Sequence, residues 1–399
     1  MTDGGRNMSD KPSLLYASPF PPQKSGISDY SEVLVNELAK KFDITLYSDD
    51  YEIESPSLKK YPVLKNGVDT VEFDCFDHII YNIGNNPWFH GYIYEAAIKH
   101  PGMVILHDFV LYYLFVGSHL EKGDLYSEIY DKLGMDCFLE IKDRVKELGP
   151  ELLEHKQLAS LFPMNRELIS SGNKIMVHSE YSRNRVLENG WIDGSKVRHI
   201  NIIKQVEEDN RLIPREKLFK KYGIPGDALI ISSFGYIAET KLNKEVAQAV
   251  KELSAETGKK LCYVMAGEGD YANSELTEGL IIKTGYTELD EFNSLIQYSD
   301  IVANLRFPTM GETSAAMLRI LQLGKPCITN NGGWFSELPD TCVLKVDLGD
   351  RKENIKNALR TLITDVGKRT ELIKNATEYI EREYSSDKIT DEIARFLRE

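Results

Sequence analysis

Pro308-Thr309-Met310-Gly311-Glu312-Thr313-Ser314 runs into an apolar helical pattern that stops at Gly324-Lys325-Pro326. The segment sets a glycine, a carboxylate and two hydroxyls at a helix start. Unpaired amides and the partial positive charge of such an end hold a diphosphate without a metal. Gly311, Thr313 and Ser314 are the candidate phosphate contacts, and the carboxylate of Glu312 is placed to face a sugar. An ordinary capped helix in an α/β sheet would read the same from this segment alone, so the remaining strand ends have to decide.

Several of those ends carry chemistry. After the apolar run Leu14–Ala17 comes the proline-rich loop Ser18 to Ser25, then Gly26, where backbone can approach a ligand at a helix start. Asn82-Ile83-Gly84-Asn85-Asn86 is a turn-prone polar patch suited to hydrogen-bonding hydroxyls, with Asn85 the candidate contact. His107-Asp108 closes the next run, and a histidine followed by a carboxylate can orient an acceptor or handle a proton. Taken alone, a histidine there is more often a structural residue. In the second half, Gly235-Tyr236-Ile237 ends a run and Lys241 follows, a mobile point charge able to reach a phosphate. A solvated lysine at a helix start would look alike. Ala266-Gly267-Glu268-Gly269 and Thr284-Gly285-Tyr286 leave room for a base or ribose, and Asn331 to Glu337 adds a glycine pair and a carboxylate.

Short apolar runs alternate with helical patterns along the chain, as parallel sheets of βαβ units require. Expected strands are Leu14–Ala17, Ile44–Tyr47, Ile79–Tyr81, Met103–Leu106 and Ile175–Val177, then Ala228–Phe234, Leu261–Met265, Ile281–Ile282, Ile301–Ala303, Cys327–Ile328 and Cys342–Leu344. They divide into two doubly wound sheets with a seam between Ile200 and Arg215. The expected domains are 1–205, with a helical insertion over about 111–171, and 206–399, whose last helix is expected to pack back on the first domain. Facing domains of this kind bind ligands at the carboxyl ends of their strands, in the cleft between them.

Composition narrows the partners. The chain has 399 residues, 42% of them hydrophobic, and a formal charge of −14, which argues against a nucleic-acid partner. Five scattered cysteines in or beside apolar runs read as reduced thiols of a cytoplasmic protein, and no paired-cysteine spacing calls for zinc. No run has the length of a membrane span, and peripheral association with a membrane is left open.

In this order and spacing, the loop with Gly26, Gly84-Asn85-Asn86, Leu106-His107-Asp108, Val177 to Tyr181, Gly235 with Lys241, Ala266-Gly267, Gly285-Tyr286 and Gly311 to Pro326 resemble the GT-B glycosyltransferases, specifically the retaining family 4 enzymes. The resemblance covers nearly the whole chain. It implies an α/β GT-B fold of two facing Rossmann-like domains, with a nucleoside diphosphate sugar on the second and a glycan, lipid-linked or protein-linked hydroxyl acceptor on the first. It implies catalytic roles for His107 and Glu312, and donor contacts from Gly26, Gly235, Tyr236, Lys241, Gly285, Tyr286, Gly311, Thr313, Ser314, Arg319 and Glu337. Acceptor contacts fall on Asn85 and Asp108, and neither a cofactor nor a metal is expected.

Two departures stand out. The family's phosphate-binding arginine is Tyr236 here, so Arg319 or backbone amides would share the diphosphate charge with Lys241. The pair of glutamates that precedes the Gly-x-Pro turn falls on Gly311 and Arg319, with Glu312 one residue late. A non-catalytic GT-B protein that binds a glycan or a partner is the alternative. A dinucleotide oxidoreductase is disfavoured, because no Gly-x-Gly-x-x-Gly follows a strand with an acidic residue at the required distance.

Overall fold

The computed structural model describes residues 11–149, 156–204, 206, 211–269, 271 and 280–399. The chain divides into two compact units. Unit 1 takes the chain up to Ile203 with Met310–Thr313 and Ser386–Glu399; unit 2 takes Lys204–Thr309 and Ser314–Ser385. Gly311, Glu312 and Thr313, expected among the residues of the second domain, thus group with unit 1.

Unit 1 is built on seven strands: β1 Ser13–Ala17, β2 Asp43–Ser48, β3 Val63–Lys65, β4 His78–Ile83, β5 Met103–Leu106, β6 Lys174–Val177 and β7 Val197–His199. Their order is β3-β2-β1-β4-β5-β6-β7, with every pair parallel. Unit 2 holds six: β8 Leu229–Phe234, β9 Leu261–Ala266, β10 Ile281–Lys283, β11 Ile301–Ala303, β12 Cys327–Asn330 and β13 Leu344–Val346. These run β10-β9-β8-β11-β12-β13, again all parallel. Strands covered by helices on both faces bury every side chain, as Leu261 to Ala266 do.

Strand order reverses between β1 and β4 in unit 1 and between β8 and β11 in unit 2. At such a switch point the connections leave toward opposite faces of the sheet, and a crevice opens at the carboxyl ends. Helices start beside these ends with side-chain caps. Ser25 accepts from the Ile27 amide at 3.2 Å, Asn86 from Phe89 at 3.1 Å, Ser179 from Ser182 at 3.0 Å and Ser314 from Met317 at 3.1 Å. Each cap satisfies one otherwise orphaned amide and fixes where its helix begins.

Between β5 and β6 the helices Tyr112–Lys122, Leu125–Leu148, Lys156–Leu161 and Arg166–Ser170 form the insertion, the second kinked at Gly134 (φ +83°). The C-terminal segment is two helices, Val366–Glu383 in unit 2 and Ser386–Arg398 in unit 1. No described helix is long and apolar enough to cross a membrane.

Candidate functional site

In unit 2 the loops beyond β8, β9 and β10 continue the pairing of the sheet past its end. The Gly235 amide donates to Ala266 O at 3.0 Å, Ile237 to Glu268 O at 2.6 Å, and Gly267 bridges Gly285. Contact this close excludes side chains: a Cβ on Gly267 would lie 2.2 Å from the Gly235 carbonyl oxygen, and one on Gly269 2.1 Å from that of Ile237. Gly235 also has φ +90°, in the left-handed region that glycine tolerates. The result is a backbone-lined floor at the carboxyl end of the sheet.

Lys241 sits at the end of the one-turn 3-10 segment Glu239–Lys241, 8% exposed, and its Nζ donates to Phe234 O at 2.8 Å. A Cβ on Gly235 would stand 3.3 Å from that nitrogen, so the ammonium lies over the glycine at the mouth of β8. Across the switch point, Phe307 N donates to Thr240 O at 2.8 Å and Arg306 Nη1 to Thr240 Oγ1 at 3.4 Å, tying the loop after β11 to the turn that carries Lys241. Asn330 Oδ1 accepts from the Arg306 amide at 2.7 Å. Ser314 Oγ serves as a cap and also accepts from Asn304 Nδ2 at 3.2 Å. Tyr236 is 67% exposed beside Gly235, and Tyr286 is exposed beside Gly285.

In unit 1 the organising residue is Asn82, buried inside β4. Its Nδ2 donates to Ala17 O at 3.1 Å, which fixes the amide orientation and turns Oδ1 toward His107 Nε2 at 3.0 Å. An amide oxygen only accepts, so Nε2 carries the proton and Nδ1 of His107 is an acceptor. His90 Nδ1 donates to Asn82 O at 3.0 Å, and His178 Nδ1 to Ile200 O at 2.9 Å. Tyr30 packs edge-on against His107 and His178, with ring centroids at 4.9 and 5.3 Å. Burial holds His90 and His178 down to about 4 and His107 well below its ordinary range, with His178 and His90 adding to the effect on His107. The three imidazoles are neutral at physiological pH. They act as hydrogen-bonding groups rather than as acids.

Asp108 Oδ2 accepts from the Asn85 amide at 2.9 Å, and Asn85 Oδ1 accepts from the amides of Tyr113 and Leu114 at 2.9 and 3.0 Å. The side-chain carbonyl of Asn85, a residue expected to meet an acceptor, thus caps the helix Tyr112–Lys122. Gly26 is open, with nothing within 4 Å of a Cβ placed there, whereas one on Gly84 would lie 2.5 Å from Ile27 Cδ1. Met310–Thr313 lies against the same unit. Val110 N donates to Met310 O at 3.1 Å, Ser182 Oγ to Gly311 O at 2.6 Å, and a Cβ on Gly311 (φ +82°) would come 2.5 Å from Phe109 Cβ. Glu312 accepts from the Met310 amide at 2.6 Å.

Solved structures match this architecture along almost the entire chain. HepE (Alr3699) of Anabaena, in complex with UDP and glucose, aligns over 97% of this chain and 99% of its own, at 13% identity and a TM-score of 0.66. WaaG, a glycosyltransferase involved in lipopolysaccharide biosynthesis, aligns over 95% and 98% at 14% identity and 0.62. Sucrose-phosphate synthase of Thermosynechococcus elongatus aligns over 97% and 98% at 13% identity and 0.62. No protein-family model and no curated protein matches the sequence. The fold is GT-B.

On that fold the residues read from the sequence separate into groups. Gly235, Tyr236 and Lys241 gather at the unit 2 switch point, with Gly285 and Tyr286 at the outer end of the same floor. Arg319, expected to share a diphosphate, is turned into the packing of its helix Ala315–Gln322 against Leu289–Tyr298, 4% exposed and 3.5 Å from Asn293 Oδ1. Glu337 ends the turn Gly333–Glu337; burial raises the hydroxyl pKa values of Tyr379 and Tyr384, and the nearby charge of Glu337 adds a smaller part. His107 and Asp108 lie at the end of β5. Tyr30, His90 and Arg306 carry no site expectation from the sequence, while Asn82 and His178 enter it only within the polar patch Asn82 to Asn86 and the segment Val177 to Tyr181. The signal for Arg306 is its place in the loop that follows the apolar run Ile301–Ala303, as Lys241 lies in the loop that follows the run ending at Phe234.

One trio among the described residues brings potential metal ligands together: the side-chain atoms of His119, Asp124 and Glu128 lie within 4.8 Å of one another. It belongs to the helical insertion, and His119 Nδ1 is already 2.9 Å from Asp124 Oδ1.

Proposed function

We propose that this chain is a nucleotide-sugar-dependent glycosyltransferase of the retaining family 4 type, moving a sugar to a hydroxyl of a glycan, lipid-linked or protein-linked acceptor. The observation that carries the reading is Lys241: a nearly buried ammonium over a glycine floor at the unit 2 switch point, in a chain that matches GT-B enzymes over 97% of its length. HepE, one such neighbour, is complexed with UDP and glucose, which supports a nucleoside diphosphate sugar as the donor.

As the glycosidic bond to the diphosphate breaks, negative charge grows on the leaving phosphate. A fixed cation in a poorly solvated crevice stabilises that charge more in the transition state than in the ground state. Lys241 fills this role, and the amides at the start of the helix Ala315–Gln322 add to it. Attack from the face the diphosphate leaves, guided by the diphosphate itself, retains configuration without a protein nucleophile. His107, neutral and fixed by Asn82, offers Nδ1 as an acceptor to a sugar hydroxyl, a positioning role. With the charge carried by protein cations, the reaction proceeds without a metal. The reading places the enzyme in the cytoplasm, with peripheral membrane contact left to the nature of the acceptor.

A thermal-shift screen against UDP-, GDP- and dTDP-sugars tests it, because a ligand of the native state raises the melting temperature by mass action. A stabilising donor, product of retained anomeric configuration by NMR, and turnover unaffected by EDTA are expected. Absence of binding to every nucleotide sugar would leave a non-catalytic GT-B protein.

A further inference from the structure

We infer that Arg306 is the second cation of the diphosphate site, contacting the phosphate oxygens together with Lys241; the inference rests on the donor-site reading above.

A nucleoside diphosphate carries more negative charge than one ammonium neutralises. Tyr236, next to Gly235, brings no charge, and Arg319 is folded into helix packing. Arg306 is differently placed. It follows β11, the strand paired with β8 at the reversal of strand order, so Arg306 and Lys241 belong to the two loops that flank the crevice. Its backbone is held from both sides, by Asn330 Oδ1 on the Arg306 amide at 2.7 Å and by Thr240 O on the Phe307 amide at 2.8 Å. The guanidinium reaches Thr240 Oγ1 at 3.4 Å, one residue from Lys241, and the side chain is half-buried rather than spread into solvent.

The two cations differ in a useful way. The ammonium of Lys241 is a compact charge anchored on Phe234 O, whereas a guanidinium presents planar N–H pairs that meet two phosphate oxygens at once. Anchoring of the Arg306 main chain means that little backbone freedom is lost when the fork engages. The contact to Thr240 is one that the fork would exchange for phosphate.

Calorimetric titration of the full chain with UDP, GDP, ADP and dTDP, with the matching monophosphates and with inorganic pyrophosphate, tests the assignment. Arg306→Gln should weaken the preferred diphosphate and pyrophosphate by roughly ten- to a hundredfold, the size of a lost charge-assisted pair, and flatten the preference for diphosphate over monophosphate. Arg306→Lys should recover part of the loss, and it carries the test if the glutamine variant melts early. Native diphosphate affinity in Arg306→Gln, alongside a loss in Lys241→Ala, would overturn the role of Arg306 and leave the donor site standing. Failure of the native chain to bind any diphosphate or pyrophosphate would overturn both.

Discussion

The two units share one strand order over six strands, to which unit 1 adds a seventh, and furnish it with opposite chemistry. At the β1/β4 reversal the chain assembles Asn82, His90, His107, His178 and Tyr30, neutral groups joined by hydrogen bonds and ring contacts. At the β8/β11 reversal it assembles Lys241 and Arg306 above glycines whose backbones touch. All eight histidines of the sequence precede Lys204, and none lies in unit 2. A parallel sheet supplies a crevice wherever strand order reverses, while strand-end residues decide what the crevice favours. Neutral donors and acceptors suit hydroxyls, and cations over open backbone suit phosphate.

Acid should separate the units most strongly. His90 and His178 have an ordinary value of 6.5 and are held at about 4 by burial, so the unfolded chain takes up these protons first as pH falls. Their contribution is complete above 6.5 and drains away between 6.5 and 4, on the order of 3 kcal/mol for each histidine. Hydrogen exchange at pH 7 and pH 4.5, corrected for intrinsic rates, should show β4, β5 and β6 losing protection well before β8, β9 and β11. Equal losses would mean that the imidazole cluster does not distinguish the units.

Glycine substitutions probe the two crevices next. Gly267→Ala drives a Cβ to 2.2 Å from a backbone oxygen that cannot move without breaking the floor, and should cost about 3 kcal/mol. Gly84→Ala meets the movable end of Ile27 at 2.5 Å and also the buried His90 ring at 2.9 Å, and should cost roughly 2 kcal/mol. Gly26→Ala meets nothing and should be neutral or stabilising by up to about 1 kcal/mol. Melting temperatures should follow that order. A tolerant Gly267 would show that close backbone pairing is not what holds the floor.

These residues also show where sequence reading stops. Leu261 to Ala266 is buried on both faces, so an apolar run announces it, and the glycines after β8, β9 and β10 mark its end and those of its neighbours. Val63–Lys65 and Val197–His199 were not legible as strands, since each has three residues at a sheet edge with half-exposed positions and no continuous apolar run. Asn82 was read only as part of a turn-prone patch. Its partners Ala17, His90 and His107 come from three separate segments, and local spacing cannot encode their meeting. Arg319 failed in another way: helical periodicity gives its angular position, but only the neighbouring helix Leu289–Tyr298 decides that this face is covered.

Binding and turnover should respond to different units. Lys241→Ala should weaken diphosphate binding by about 1.5–3 kcal/mol, the range for a charge-assisted hydrogen bond, with calorimetry as the readout. His107→Ala removes a group that carries no charge at neutral pH, so diphosphate affinity should stay within about 0.5 kcal/mol of native while turnover falls about tenfold or more. If His107→Ala loses nucleotide affinity as fully as Lys241→Ala, the division of labour between the crevices is wrong.

The smallest expected change is the most discriminating for Glu312. Its carboxylate accepts from the Met310 amide at 2.6 Å, in a segment also held by Ser182 on Gly311 O at 2.6 Å and by Val110 on Met310 O at 3.1 Å. Glu312→Gln retains an oxygen that can accept the same amide, so stability should change by less than about 0.5 kcal/mol. Glu312→Ala loses that acceptor and should cost about 1.5 kcal/mol. If the negative charge also serves the transferred sugar, the glutamine variant will melt like the native chain, bind the bare diphosphate equally well and turn over more slowly. Native turnover in Glu312→Gln with early melting of Glu312→Ala would assign the carboxylate to holding its own loop, and the chemistry would then rest on the residues of the two crevices without it.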